Sequence, residues 1–172
     1  MLVNPHFAPA DESPSDGHRP AGAVRVVLAD DHAVIRRTLR RLLDGEADIE
    51  VIADAGDLET VVGCARDRRP QVMVLDLSML GESSLDAIRD LRRQVPDTEI
   101  VVLSMQDSPL LARKALDADA IAFVRKEMAD ADLPEAVRCA ARGVRYVSPL
   151  LAAQLVAFDD LPAIHHRGLQ LG

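Results

Sequence analysis

From Val24 onward the chain alternates short continuous apolar runs with longer segments in which apolar residues recur at helical spacing. The runs fall at about 24–29, 49–54, 71–76, 99–103 and 120–124 and predict five strands. Val26-Val27-Leu28 and Ile100-Val101-Val102-Leu103 are unbroken rather than alternating, which suits strands covered on both faces. Between them, Ile35, Leu39 and Leu42, then Leu58, Val61, Val62 and Ala65, then Leu85, Ile88 and Leu91, and finally Leu133, Ala136, Val137 and Ala140 each form one apolar stripe. The fourth helical segment offers only Leu110, Leu111 and Ala115, a narrow stripe that predicts a marginal helix. Asp57, Ser83 or Ser84, Ser108 before Pro109, and Asp130 or Asp132 are the expected helix caps. Five alternating β and α units joined by right-handed crossovers give an α/β three-layer sandwich around a parallel sheet.

Outside this region the pattern is lost. Residues 1–22 contain Pro5, Pro9, Pro14 and Pro20 among Asp, Glu, Ser and Gly, too little apolar surface to offset ordering entropy, and are expected to form a disordered tail. The domain proper is expected over 23–145, with 146–172 supplying a short helix through Leu150 to Val156 and a tail. The net charge of -8 argues against nonspecific nucleic-acid binding. The N-terminus has no basic-then-apolar signal pattern and no stretch has membrane-spanning length, so a cytoplasmic protein is expected. Cys64 and Cys139 lack metal-site spacing and read as reduced, packed thiols.

The chemistry lies at the ends of the apolar runs. Asp30-Asp31, Asp76, Ser104 and Lys126 follow the first, third, fourth and fifth runs, and in an open parallel sheet those carboxyl ends share the ligand-binding edge. Three clustered carboxylates are costly unless a cation neutralises them or one stays protonated, and Mg²⁺ suits them because it takes oxygen ligands from one or two carboxylates together with phosphate oxygens. Lys126 and Ser104 supply a cation and a hydroxyl for phosphoryl oxygens, and an aspartate can itself be the nucleophile that forms an acyl phosphate. Singly these residues are ordinary: an acidic pair is most often a helix cap, a lysine a solvated charge, a strand-ending serine a turn residue. Their joint order and spacing carry the reading. His32 is expected in the first turn of the first helix, facing solvent, and His165 and His166 in the tail.

The segments Val24-Arg25-Val26-Val27-Leu28-Ala29-Asp30-Asp31-His32, Val72-Met73-Val74-Leu75-Asp76-Leu77-Ser78-Met79, Val102-Leu103-Ser104-Met105 and Ala122-Phe123-Val124-Arg125-Lys126 resemble the receiver domain of two-component response regulators. That family has a flavodoxin-like, CheY-like (βα)5 fold with strand order 2-1-3-4-5. The resemblance implies Asp76 as phospho-acceptor, Asp30, Asp31 and Asp76 as Mg²⁺ ligands with the Ser78 backbone carbonyl, and Ser104 and Lys126 as phosphoryl contacts. Phe123 would be the aromatic switch residue, paired with Ser104, and signalling would run through helix four and strand five. The implied phosphodonor is a histidine kinase or a phosphotransfer protein.

Some positions depart from the family pattern. Leu80 stands where proline usually precedes Gly81; Ser84, Asp119 and Ala122 stand where glycine is frequent; and Glu127 follows Lys126 where proline is common. The stretch Arg142-Gly143-Val144-Arg145-Tyr146-Val147-Ser148-Pro149 resembles the end of receivers in the NarL/FixJ group, which continue into a helix-turn-helix domain. Phe158 to Gly172 offers too few residues and too little apolar periodicity for that domain, and its Asp159-Asp160 and Pro162 run lacks a basic surface, so direct DNA binding is not expected.

The leading expectation is therefore a phosphorylation-controlled switch, not an enzyme beyond its own phosphorylation and dephosphorylation, acting on a downstream protein or through a homodimer. A truncated transcription regulator acting by dimerisation or kinase competition is the alternative. Haloacid-dehalogenase-type phosphohydrolases also combine Asp, Ser and Lys with an acidic pair, but there the nucleophile comes first, in an Asp-x-Asp motif, and the acidic pair last.

Overall fold

The computed structural model describes residues 22–159. The expected N-terminal tail, apart from Gly22, and the residues after 159, including His165 and His166, lie outside the described residues.

Strands β1 (Val24–Ala29), β2 (Ile49–Ala55), β3 (Val72–Asp76), β4 (Glu99–Ser104) and β5 (Ala122–Arg125) alternate with helices α1 (Ala33–Asp44), α2 (Leu58–Arg68), α3 (Ser84–Gln94), α4 (Pro109–Asp117) and α5 (Ala129–Ala141). A two-residue strand β6 (Tyr146–Val147) and helix α6 (Pro149–Asp159) follow. The sheet is parallel, in the order β2-β1-β3-β4-β5-β6. The expected 2-1-3-4-5 order is present, extended by β6, which pairs Tyr146 with Ala122 and Val147 with Phe123. Two residues of ordinary composition carry no periodicity, which is why this edge strand is absent from the sequence pattern.

Successive strand residues feed two separate cores. Val26, Leu28, Val72, Val74, Val101, Leu103 and Val124 pack with Leu39 and Leu43 of α1 and Leu133 and Val137 of α5. Val27, Met73, Leu75, Ile100, Val102 and Phe123 pack on the opposite face with Val61 of α2, Ile88 and Leu91 of α3, and Ala112 and Ala115 of α4. Burial on both faces is the physical reason the strands read as continuous apolar runs. Leu151 of α6 is buried in the second of these cores, and α6 lies against α4.

Several local expectations shift. β5 occupies 122–125 rather than 120–124, because Asp119 ends the preceding turn with φ of 73°. That is the left-handed conformation for which glycine is frequent there, and aspartate adopts it more readily than most residues. Helix α4 is a regular nine-residue helix, capped by Ser108, which accepts from the Leu111 N–H, with Pro109 at its first position; its buried face is Ala112, Ala115 and Leu116. Asp57 caps α2 as expected. Asp130 and Asp132 do not cap α5. A 3-10 turn over Lys126–Met128 leads directly into Ala129, leaving both aspartates in the first turn, where they favour the positive end of the helix dipole. Ser83 holds the capping position of α3 without a side-chain capping bond. Both cysteines are free thiols, Cys139 buried and Cys64 half-buried.

Candidate functional site

The site forms where β1, β3, β4 and β5 end on one edge of the sheet. Asp30 follows β1 and is fully buried; Asp76 is the last residue of β3 and 1% exposed. Lys126, one residue past β5, reaches across both: its Nζ lies 2.7 Å from Asp30 Oδ2 and 3.0 Å from Asp76 Oδ2, with its side chain 5% exposed. Burial would pull the Lys126 ammonium down, but the hydrogen bonds and charges of Asp30 and Asp76 outweigh it and hold its pKa above the ordinary lysine value. These three residues, 46 and 50 positions apart in sequence by their numbers, form one buried ionic triad.

The turn after each strand supplies further donors. The 3-10 turn Leu77–Leu80 folds back on Asp76, so that the Ser78 backbone N–H donates to Asp76 Oδ1 at 3.1 Å and its hydroxyl donates to Oδ2 at 2.6 Å. Ser78 thus engages Asp76 through two groups that the sequence reading did not assign to it. The turn ends at Gly81 with φ of 66°, a conformation glycine adopts without strain; Leu80 immediately precedes it. At the end of β4, Ser104 is 3% exposed and its hydroxyl accepts from the Gln106 N–H at 3.0 Å. A cavity of about 180 Å³ opens beside Asp76, lined among others by Ser78, Ser84, Ser104, Gln106 and Leu111. Phe123 lies inside the core, 1% exposed, on the α4 side of the sheet.

Asp31 is half exposed and points its carboxylate at His32, whose Nδ1 lies 2.8 Å from Asp31 Oδ1 and 3.5 Å from Asp30 Oδ1. His32 occupies the position before the first turn of α1, its backbone N–H donating to Asp30 Oδ1 at 2.8 Å. It faces solvent as expected but also belongs to the site: donor atoms of Asp30, Asp31, His32 and Asp76 all lie within 4.8 Å of one another. Three carboxylates at this separation, two of them buried, are the oxygen donor set a hard divalent cation requires, so the residues fit Mg²⁺.

Comparison with known proteins agrees with this geometry. Residues 26–138 match the family model of the response regulator receiver domain. The chain is 34% identical over 134 residues to the transcriptional regulatory protein DegU of Brevibacillus brevis, an alignment covering 77% of this chain and 56% of DegU. A crystal structure of a LuxR-family two-component response regulator from Aurantimonas sp. superimposes with a TM-score of 0.73 at 28% identity, covering 80% of this chain and 98% of that one. The isolated REC domain of RcsB from Salmonella enterica serovar Typhimurium, determined in the presence of the phosphomimetic BeF₃⁻, gives 0.69 at 26% identity, covering 77% and 99%. The chain spans 56–62% of the length of the first curated relatives it matches. A doubly covered parallel sheet with a buried Asp-Asp-Lys triad at its carboxyl edge, matched over 26–138, places this chain in the response regulator receiver domain family.

Proposed function

We propose that this chain is a phospho-acceptor switch in which Asp76 takes a phosphoryl group from a phosphohistidine of a histidine kinase or phosphotransfer protein. The observation that carries the reading is the Lys126 bridge from Asp30 to Asp76 at the end of β3. Receiver domains bind Mg²⁺ at an acidic pocket, and response regulators interact with histidine kinases and phosphodonors.

An Asp76 carboxylate oxygen attacks phosphorus, the bond from phosphorus to the donor nitrogen breaks, and the imidazole leaves with the electron pair. Ser78 orients the carboxylate through its N–H and hydroxyl. Lys126 exchanges its contact with Asp76 Oδ2 for a phosphoryl oxygen, and the Ser104 hydroxyl, which lines the same cavity as Asp76, donates to another. Asp30, Asp31 and Asp76, with the Ser78 carbonyl, would hold Mg²⁺, which supplies charge neutralisation between carboxylates and phosphoryl oxygens when bound.

The output follows from packing. Drawing Ser104 toward the phosphoryl group frees space beside β4, and Phe123 repacks toward it, shifting α4. The face α4 buries is built of Ala112, Ala115 and Leu116, a thin interlayer over which a small displacement loses few contacts. Since α6 lies on α4 with Leu151 in the shared core, a shift of α4 is felt by whatever engages α4, β5 and α6. The recipient is a downstream protein or a second copy of the chain.

Incubation with acetyl phosphate and Mg²⁺ tests the reading. A covalent adduct that is absent from Asp76→Asn supports the switch. Rapid multiple turnover of phosphate esters would instead support a phosphohydrolase.

A further inference from the structure

We infer that Arg36 is a positioning residue for the cation site, holding the turn that carries Asp30 and Asp31 against β2. The inference rests on the proposed cation role of Asp30 and Asp31. Arg36 lies on α1, one helical turn beyond His32, and its side chain is 20% exposed. Its guanidinium makes two directed contacts, one to the turn after β1 and one to β2. Nη1 donates to the Asp30 backbone carbonyl at 2.7 Å, and Nε pairs with Asp54 Oδ2 on β2 at 3.0 Å. The Arg36 backbone N–H also donates to the His32 carbonyl at 2.9 Å, so one residue fixes the turn from both sides.

The surroundings are built for this placement. Asp54 is held at its other oxygen by Arg40, which also donates to the Val51 carbonyl. Asp54 therefore forms a fixed anchor rather than a free carboxylate. The guanidinium passes over Gly56, where an added Cβ would stand 2.9 Å from Arg36 Nη1. The three atoms nearest to such a Cβ are Nη1 and Cζ of Arg36 and the Asp30 carbonyl oxygen, so the room left by the missing side chain is taken by this contact.

The physical need is clear from the site. Asp30, Asp31 and Asp76 repel one another within 4.8 Å, and within the turn joining β1 to α1 the His32 N–H bonds Asp30 Oδ1 while the His32 side chain makes no cap on the helix. A bidentate, planar cation that bonds the turn's carbonyl and a neighbouring strand keeps the two carboxylates presented in one geometry. Lysine replaces this planar fork with one compact ammonium and loses the fixed angle between the two contacts. Groups that orient metal ligands without touching the metal typically change affinity about 10- to 100-fold when removed.

The test measures Mn²⁺ binding by electron paramagnetic resonance, with Mg²⁺ competition, on the 172-residue chain and on Arg36→Lys, Gly56→Ala and Asp76→Asn. Thermal midpoints are recorded alongside. Arg36→Lys is expected to weaken Mn²⁺ binding about tenfold. Gly56→Ala, which displaces the guanidinium while leaving every ionic group in place, is expected to weaken it by a smaller factor. Asp76→Asn serves as the reference for loss of a ligand. Binding unchanged in Arg36→Lys and Gly56→Ala, with the wild type binding normally, overturns the inference while leaving the cation reading intact. A lowered thermal midpoint with unchanged Mn²⁺ affinity also overturns it, since that is the signature of a purely structural ion pair. Wild-type protein that shows no saturable Mn²⁺ binding overturns the cation reading and the inference together.

Discussion

Lys126→Met removes the charge that joins Asp30 to Asp76 and keeps a side chain of similar length. In the native chain Nζ sits 2.7 and 3.0 Å from the two carboxylates, both of them shielded from water. Without it, two buried carboxylates within 4.8 Å of each other, at an effective dielectric constant of about 20, repel by roughly 3.5 kcal/mol. Removing one partner of a buried ionic group generally costs about 3–5 kcal/mol for the same reason. The expected loss is therefore about 3–5 kcal/mol in urea unfolding at neutral pH, a large share of the roughly 5–15 kcal/mol that holds a domain folded. Two further arms identify the cause. Lys126→Met combined with Asp30→Asn regains most of the loss, because only one charge then remains. Saturating Mg²⁺ raises the stability of Lys126→Met more than that of the wild type, because the lysine no longer competes for Asp30. A loss below about 1 kcal/mol, the size expected of an exposed pair, would refute the reasoning. So would a double variant no more stable than Lys126→Met.

Tyr146, the sole tyrosine in a chain without tryptophan, gives an optical handle on β6. Burial, with the nearby Asp132 charge and the hydroxyl's hydrogen bond to it, pushes its pKa up to about 12. Tyrosinate absorbance should titrate near that value in the folded chain and earlier in Asp132→Asn. A native pKa above the unfolded value near 10 means that this contribution to stability is complete below about pH 10 and is lost as pH rises through 12. Asp119→Gly relieves the left-handed backbone at that position and should stabilise by about 1 kcal/mol in urea unfolding, whereas Asp119→Val should destabilise. Leu151→Ala should cost about 2–3 kcal/mol because that side chain is 3% exposed in the core shared with α4, while Leu150→Ala, 62% exposed, should change stability little. Equal effects at 150 and 151 would mean that α6 does not pack as described.

The five main strands, the helices between them and the residues at the strand ends were legible because burial on both faces leaves unbroken apolar runs and the site residues interrupt them. The sheet order follows from the parallel α/β class and the resemblance. What escaped reading has no such periodicity. β6 is two residues long. The 3-10 turn before α5 displaces Asp130 and Asp132 from the capping role their residue type suggests. At the site, the convergence of Asp30, Asp31, Asp76 and Lys126 was visible from position in the chain, but the double grip of Ser78 on Asp76 was not, because it depends on how a turn folds back. His32 was visible only as a neighbour of the acidic pair. Arg36 sits in a run of two arginines, and nothing in sequence distinguishes it from Arg37, whose Nε donates to the Ala33 carbonyl of its own helix.

A phosphoryl group carried by Asp76 can be trapped there chemically. The chain is treated with acetyl phosphate and Mg²⁺, the acyl phosphate is reduced with borohydride, and the peptide containing residues 72–79 is sequenced by mass spectrometry. Reduction of the Asp76 side chain to an alcohol, dependent on Mg²⁺ and absent from Asp30→Asn/Asp31→Asn, is the expected result. Trapping at another carboxylate, or an adduct that persists in Asp76→Asn, contradicts the account.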